Sequence, residues 1–211
     1  MIIETVVVTV DPFSRFLMNC YLLSADGDAT EVLVVDPGAE PERILTRLAG
    51  RKISAIVLTH RHFDHIGAAA ELAALSDAPV YAHPLDTEAI EKSRLPQLLG
   101  GRGGALRVKV DHSLNDGDVL EACGLRLEVL HTPGHSAGSI CLYHAEDAVL
   151  VSGDTIFRGT TGRTDLESGS PAQMHSSLRK LAKLPDETVV YPGHEGKTTI
   201  AHERTRSLIE Y

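Results

Sequence analysis

No stretch of the 211 residues approaches the roughly 18 consecutive apolar positions that a membrane-spanning helix needs, so no membrane segment is expected. The basic start and small-residue cleavage site of a secretory leader are also missing. Met1-Ile2-Ile3-Glu4-Thr5-Val6-Val7-Val8 alternates and carries an acid, which predicts a first strand and a cytoplasmic protein. Positive charge is scarce: 20 Lys and Arg stand against 29 Asp and Glu, a formal net charge of −9. Phosphate binding needs clustered cations, so a nucleic-acid partner is not expected. Cysteine is sparse too. Cys20, Cys123 and Cys141 form no CxxC pair, and all three are expected as free thiols buried like small apolar side chains. No linker or low-complexity break appears, and residues 1–211 are read as a single domain.

What the chain does have is histidine, eleven in all. Three lie in Thr59-His60-Arg61-His62-Phe63-Asp64-His65, directly after the apolar run 53–58. Such a density of nitrogen and oxygen donors at a strand end is poorly explained by packing. Three further segments place donors after apolar strands: Thr132-Pro133-Gly134-His135, Ser152-Gly153-Asp154 and Tyr191-Pro192-Gly193-His194. Strand ends of a layered α/β protein converge on one edge, where loops build the site. Five histidines and two aspartates suffice for two metals with open positions, and the imidazole-carboxylate mixture suits zinc or iron better than magnesium or calcium. Proline before each Gly-His fixes the approach of the chain, and glycine allows torsions that turn the imidazole inward. His83, His112, His131, His144, His175 and His202 form no comparable cluster.

The remaining pattern fits an α/β protein. Strands are predicted over 18–23, 31–35, 79–82, 118–120, 125–130, 139–143, 148–151 and 188–191. Helices are predicted from 41, over 84–95 and 171–184, and over 197–211 at the end of the chain. The run 66–75 has strong helix propensity. Gly100-Gly101-Arg102-Gly103-Gly104 reads either as a mobile loop beside a site or as a plain surface connection. Strand-then-acid occurs at Asp36 and Asp154 and strand-then-His at His60, His131 and His194, which suggests two similar half-sheets sharing one site.

The ordered set HxHxDH, Pro-Gly-His, Gly-Asp and Pro-Gly-His resembles the metallo-β-lactamase superfamily over essentially the whole chain. That resemblance implies a four-layer αββα sandwich with a dinuclear site along one edge. It implies His60, His62 and His135 on the first metal, Asp64, His65 and His194 on the second, and Asp154 bridging both. Asp64 is also the candidate proton acceptor, its basicity reduced by coordination. Two divalent ions are implied, zinc first, with iron or manganese as alternatives. Asp36 matches an acid that orients ligands from behind; otherwise Asp36-Pro37-Gly38 is a simple turn.

Asp154 sits where the true β-lactamases lack a bridging acid, and Gly153-Asp154-Thr155-Ile156-Phe157 is similar to the type II glyoxalases. The implied activity is hydrolysis of a glutathione-type thiolester such as S-lactoylglutathione by a metal-bound hydroxide, with a small-molecule thiolester as the partner. Gly162-Arg163 resembles the position that holds the glutathione carboxylate, which makes Arg163 the substrate-binding candidate; the alternative is an ion pair with Asp165. Gly196 follows Glu195 where that group has Tyr, and only residues 195–211 follow His194. The chain thus resembles the shorter bacterial branch without a helical glutathione-binding domain. Two other activities stay open at this point. One is a persulfide dioxygenase with a single iron on His60, His135 and Asp154, which shares Gly162-Arg163-Thr164-Asp165. The other is a lactonase or phosphodiesterase on the same scaffold.

Overall fold

A computed structural model describes residues 1–11, 16–94 and 106–208. The glycine-rich run at 100–104 lies outside the described residues.

Six strands form the first sheet in chain order: β1 (Ile2–Asp11), β2 (Phe16–Ser24), β3 (Glu31–Val35), β4 (Lys52–Val57), β5 (Val80–Ala82) and β6 (His112–Ser113). The first three pair antiparallel through hairpins, and β3 to β6 run parallel. Parallel neighbours need crossovers. These are α1 (Pro41–Leu48), then α2 (Phe63–Ile66) with α3 (Ala69–Ser76), then a segment that includes α4 (Pro84–Glu91). The second sheet holds β7 (Val119–Ala122), β8 (Leu125–His131), β9 (Ile140–His144), β10 (Val149–Gly153), β13 (Val189–Pro192) and β14 (Thr198–Thr199), in the order β14-β13-β10-β9-β8-β7. α5 (Pro171–Leu181) is the crossover between parallel β10 and β13. A separate hairpin, β11 (Ile156–Phe157) with β12 (Thr160–Thr161), leaves the end of β10.

The four layers follow from the period-two direction of strand side chains. On β2, Met18, Cys20 and Leu22 face outward and pack with Val32, Val34, Ile56, Ile44 of α1 and Leu72 of α3. Tyr21 and Leu23 face the other way, joining Leu33, Val35 and Val57 against Leu127, Val129, Ile140 and Leu142 of the second sheet. Cys141, Tyr143, Leu150 and Val190 on the far side of that sheet meet Met174, Leu178 and Leu181 of α5. Three apolar seams between four layers give the expected αββα sandwich. Cys20 and Cys141 are buried and free as expected, whereas Cys123, in the β7–β8 turn, is only partly buried.

Three sequence expectations shift. The 66–75 run is not one helix: α2 ends at Ile66 and α3 starts at Ala69. Gly67 sits at the break, where an added Cβ would lie 2.1 Å from the Gly38 carbonyl oxygen. The helix expected over 84–95 ends at Glu91. The helix expected over 197–211 is, among the described residues, a strand and a single turn. Thr198 and Thr199 are β-branched and add an edge to β13, and the Thr199 hydroxyl caps the four-residue α6 (Ile200–Glu203) by accepting from His202 N–H.

Candidate metal centre

Each donor segment leaves the end of a strand on the same edge. β4 runs into Thr59 and His60, His62 is the N-cap of α2, and α2 carries Asp64 and His65. β8, β10 and β13 lead to His135, Asp154 and His194. The two Gly-His steps differ in physical reason. Gly134 has φ of 142°, a torsion that disfavours any side chain. Gly193 does not need that torsion; it needs space. A Cβ there would lie 2.3 Å from Asp154 Oδ1 and 2.5 Å from His65 Cε1.

Hydrogen bonds behind the rings set which nitrogen faces the centre. Thr59 Oγ1 donates to Asp36 Oδ2 at 2.6 Å, so its lone pair is left to accept from His60 Nδ1 at 3.0 Å. His65 Nδ1 donates to Asp36 Oδ2 at 2.9 Å, and Thr59 N–H donates to Asp36 Oδ1 at 2.7 Å. His135 Nδ1 donates to the Arg163 carbonyl at 2.8 Å and His194 Nδ1 to the Leu17 carbonyl at 2.7 Å. Four rings therefore turn Nε2 inward. His62 is reversed, with Nδ1 facing His135 Nε2 at 2.8 Å.

The inward atoms lie close together. His60, His62 and His135 form one donor group, and Asp64, His65 and His194 another, each with donor atoms within 4.8 Å of one another. Asp154 reaches both: Oδ2 is 3.5 Å from His135 Nε2 and from His194 Nε2, and Oδ1 is 3.3 Å from His65 Nε2. Asp36, His60 and His65 also cluster, but both Asp36 oxygens already accept hydrogen bonds, so that set is support rather than a cation site. His60 Nε2, His65 Nε2 and Asp154 Oδ1 are buried with no hydrogen-bond partner. Orphaned buried polar atoms are costly, and three converging on one spot fit divalent cations.

The charges agree. Burial, then the neighbouring imidazoles, push the His60 pKa well below the ordinary value, and burial with His135 takes His62 down to about 4. Burial works to raise Asp64, but His65 and His194 outweigh it and hold the carboxyl at about 2. Asp154 is likewise lowered against its burial, by His65 foremost. His65 moves upward although burial opposes it, because Asp154, Asp64 and Asp36 surround it. Bare imidazoles and ionised carboxylates are the ligand-competent forms. His60, His62, Asp64 and Asp154 already favour them, whereas His65 and His194, both raised, must give up a proton to bind a cation.

Several contributors had no role readable from the sequence. Thr59 is the link between Asp36 and His60. Asp86, fully buried on α4, accepts from Arg61 N–H at 3.1 Å, Ser136 Oγ at 2.5 Å and Gly138 N–H at 3.0 Å, tying the His60 and His135 loops together. Glu203, also fully buried, accepts from Thr198 Oγ1 at 2.6 Å and from Gly159 N–H in the turn of the β11–β12 hairpin at 3.0 Å. Arg163 lines the cavity above the centre, but its guanidinium forms a bidentate pair with Asp165, Nε to Oδ1 at 2.7 Å and Nη2 to Oδ2 at 2.8 Å.

An αββα sandwich with a two-group His/Asp centre on its edge defines a metal-dependent hydrolase with a candidate binuclear site. Residues 15–194 match the Metallo-beta-lactamase superfamily. The chain belongs to that superfamily. It is 34% identical to the probable metallo-hydrolase YqgX of Bacillus subtilis, over 93% of each chain. It is 38% identical to a hydroxyacylglutathione hydrolase of Ectopseudomonas mendocina, over 89% of this chain and 66% of that one. Among solved structures, the BLEG-1 B3 metallo-beta-lactamase superposes with a TM-score of 0.84 at 34% identity, covering 97% of both chains. TTHA1623 in a di-iron-bound form gives 0.81 at 38%, covering 95% of this chain and 98% of that one. ETHE1 from Myxococcus xanthus gives 0.77 at 27%, covering 98% and 83%. No helix among the described residues is long and apolar enough to cross a membrane.

Proposed function

We propose that the chain hydrolyses thiolesters of a small thiol of the glutathione type, with S-lactoylglutathione as the assay substrate. The observation that carries this reading is the position of Asp154, within 3.5 Å of donors in both groups, which suits a pair of cations rather than one. The likeness to a hydroxyacylglutathione hydrolase supports the choice of substrate. His60, His62 and His135 would hold one cation, Asp64, His65 and His194 the other, and Asp154 both. Zinc is the first expectation; the likeness to a di-iron protein keeps iron in play. A cation pair in this position supplies Lewis acidity and activates water at neutral pH.

The chain's own groups do the rest. Asp36 and Thr59 keep the rings in the tautomers described above. The reaction adds the oxygen of water to the carbonyl carbon, breaks the acyl C–S bond and passes a proton to the departing thiolate. Thiolates leave readily, so a dedicated acid is dispensable. Asp64 faces the centre as a proton acceptor, but a carboxyl held near 2 is a weak base. Arg163 would receive a substrate carboxylate by exchanging its partner Asp165, since an exposed ion pair is held weakly in water.

The test is metal analysis coupled to hydrolysis of S-lactoylglutathione, with Asp154→Ala as the control. Two metals per chain with turnover, both reduced in the variant, are expected. The likeness to BLEG-1 favours β-lactam hydrolysis as the second reading, so a chromogenic cephalosporin belongs in the same assay. Turnover of that compound alone would replace the thiolester reading. One iron per chain with oxygen uptake on glutathione persulfide would do so as well.

A further inference from the structure

The chain has four phenylalanines, and three of them, Phe16, Phe63 and Phe157, line the cavity of about 600 Å³ that opens onto the centre. Leu166 joins them. Phe16 and Leu166 are 37% and 38% exposed, large apolar side chains left in water at the cavity. The aromatic wall reaches the chemistry itself. The Phe16 ring stacks on His194 with centroids 5.2 Å apart and 13° between planes, and Phe157 meets the same imidazole at 6.1 Å and 61°. Phe157 is fixed by the β11–β12 hairpin, whose turn is held by the buried Glu203. The Arg163 guanidinium on this cavity is occupied by Asp165. Concentrating most of a scarce residue type on one wall, partly exposed, is the pattern of a surface awaiting an apolar ligand.

We infer that Phe16, Phe63, Phe157 and Leu166 form an acyl-group pocket that selects aliphatic or aryl acyl chains over hydroxy-acyl ones. The substrate class is then a thiolester of an apolar carboxylic acid. This inference rests on the thiolester reading for the reaction, and on the cavity alone for the selectivity.

Two measurements separate those foundations. The first is kcat/KM of the metal-loaded protein on acetyl, butanoyl and hexanoyl thiolesters of glutathione, each divided by its rate of uncatalysed alkaline hydrolysis. An increase of about four-fold per added methylene is expected while the chain lies on the wall. Isobutanoyl and lactoyl thiolesters have nearly the same shape, a methyl replacing a hydroxyl. Thr160, Thr161 and Glu195 also line the cavity, but an acyl group seated on the Phe16, Phe63, Phe157 and Leu166 wall would give a hydroxyl no partner there. Isobutanoyl, normalised in the same way, is therefore expected to lead by at least about five-fold. The second is calorimetric binding of acetate, butanoate, hexanoate and lactate to the metal-loaded protein, which needs no turnover. Affinity should rise along the aliphatic series and be weaker for lactate than for butanoate.

Phe157→Ser should flatten the chain-length slope in both measurements, and Phe157→Leu should restore most of it. Thiolester turnover with a flat slope, or a preference for lactoyl over isobutanoyl, overturns the pocket and leaves the reaction standing. Chain-length-dependent binding without thiolester turnover keeps the pocket and removes the reaction.

Discussion

Thr59→Val tests whether hydrogen bonds behind the ligands set the metal affinity of this centre. The substitution keeps the side-chain shape and removes one hydroxyl. Two contacts disappear: the 2.6 Å donation to Asp36 Oδ2 and the 3.0 Å acceptance from His60 Nδ1. The Thr59 N–H bond to Asp36 at 2.7 Å survives, so the carboxylate stays in place and still holds His65. His60 is 1% exposed, so its Nδ1–H finds no water once the hydroxyl is gone. An unsatisfied buried donor costs about 1–3 kcal/mol. The ring escapes that cost by moving its proton to Nε2, the atom meant for the cation. Either route weakens the His60, His62 and His135 group. Orienting partners of this kind are worth roughly 10–100-fold in metal affinity. Titration of the metal-free protein against a competing chelator should show a loss of that size at one of two sites, with the second nearly unchanged. Thermal unfolding without metal should report a loss of about 1–3 kcal/mol or less, depending on how far the tautomer shifts. Wild-type affinity at both sites would refute the role given to Thr59.

The metal-free centre holds protons on His65 and His194 to higher pH than a free imidazole does, because Asp154 and Asp64 raise both against their burial. Cation binding must expel them, so the calorimetric enthalpy near pH 6.5 should vary with the ionisation enthalpy of the buffer. No buffer dependence would contradict the charge pattern. The same raised values make His65 a source of metal-free stability that is complete below the ordinary imidazole pKa and fades as pH rises through the elevated one. Gly193→Ala places a methyl 2.3 Å from Asp154 Oδ1 and should leave a folded protein with lowered metal content, measured by elemental analysis; full loading would show that the loop yields easily. Asp86→Ala strands Arg61 N–H, Ser136 Oγ and Gly138 N–H and should cost at least about 2 kcal/mol in denaturant unfolding. Burial raises the Asp86 pKa, so its charge is carried at a cost. Asp86→Asn, whose single oxygen can still accept from Arg61 N–H and Ser136 Oγ while its NH2 faces Gly138 N–H, should cost less than Asp86→Ala. Equal effects of the two would argue against hydrogen bonding as its role.

What the sequence made legible follows the range of the interactions involved. His60 to His65 lie within six residues at one strand end, and a glycine stands directly before His135, Asp154 and His194, so the donor set could be read locally. Most strands of both sheets were legible for the same reason, since alternation or an apolar run is a property of neighbouring positions; the two-residue β6 and β14 were not. Thr59 could not be assigned because its role depends on Asp36, 23 positions earlier, and an isolated threonine after a strand has no distinctive pattern. Asp86 meets partners 25, 50 and 52 positions away, and Glu203 one 44 positions away. The expected final helix failed on a competition that propensity does not see. Thr198 and Thr199 satisfy their backbone by pairing antiparallel with β13, 8 to 10 positions earlier, and that sheet pairing outweighs the weak local preference. The aromatic wall has the same character. Phe16, Phe63 and Phe157 come from β2, α2 and β11, elements joined only when both sheets are assembled. Short motifs therefore reveal the ligands, while the groups that tune those ligands and shape the cavity depend on the packing of the whole sandwich. Thr59→Val probes the first of these long-range dependencies and Phe157→Ser the second, each by one side chain whose local sequence gives no hint of its partner.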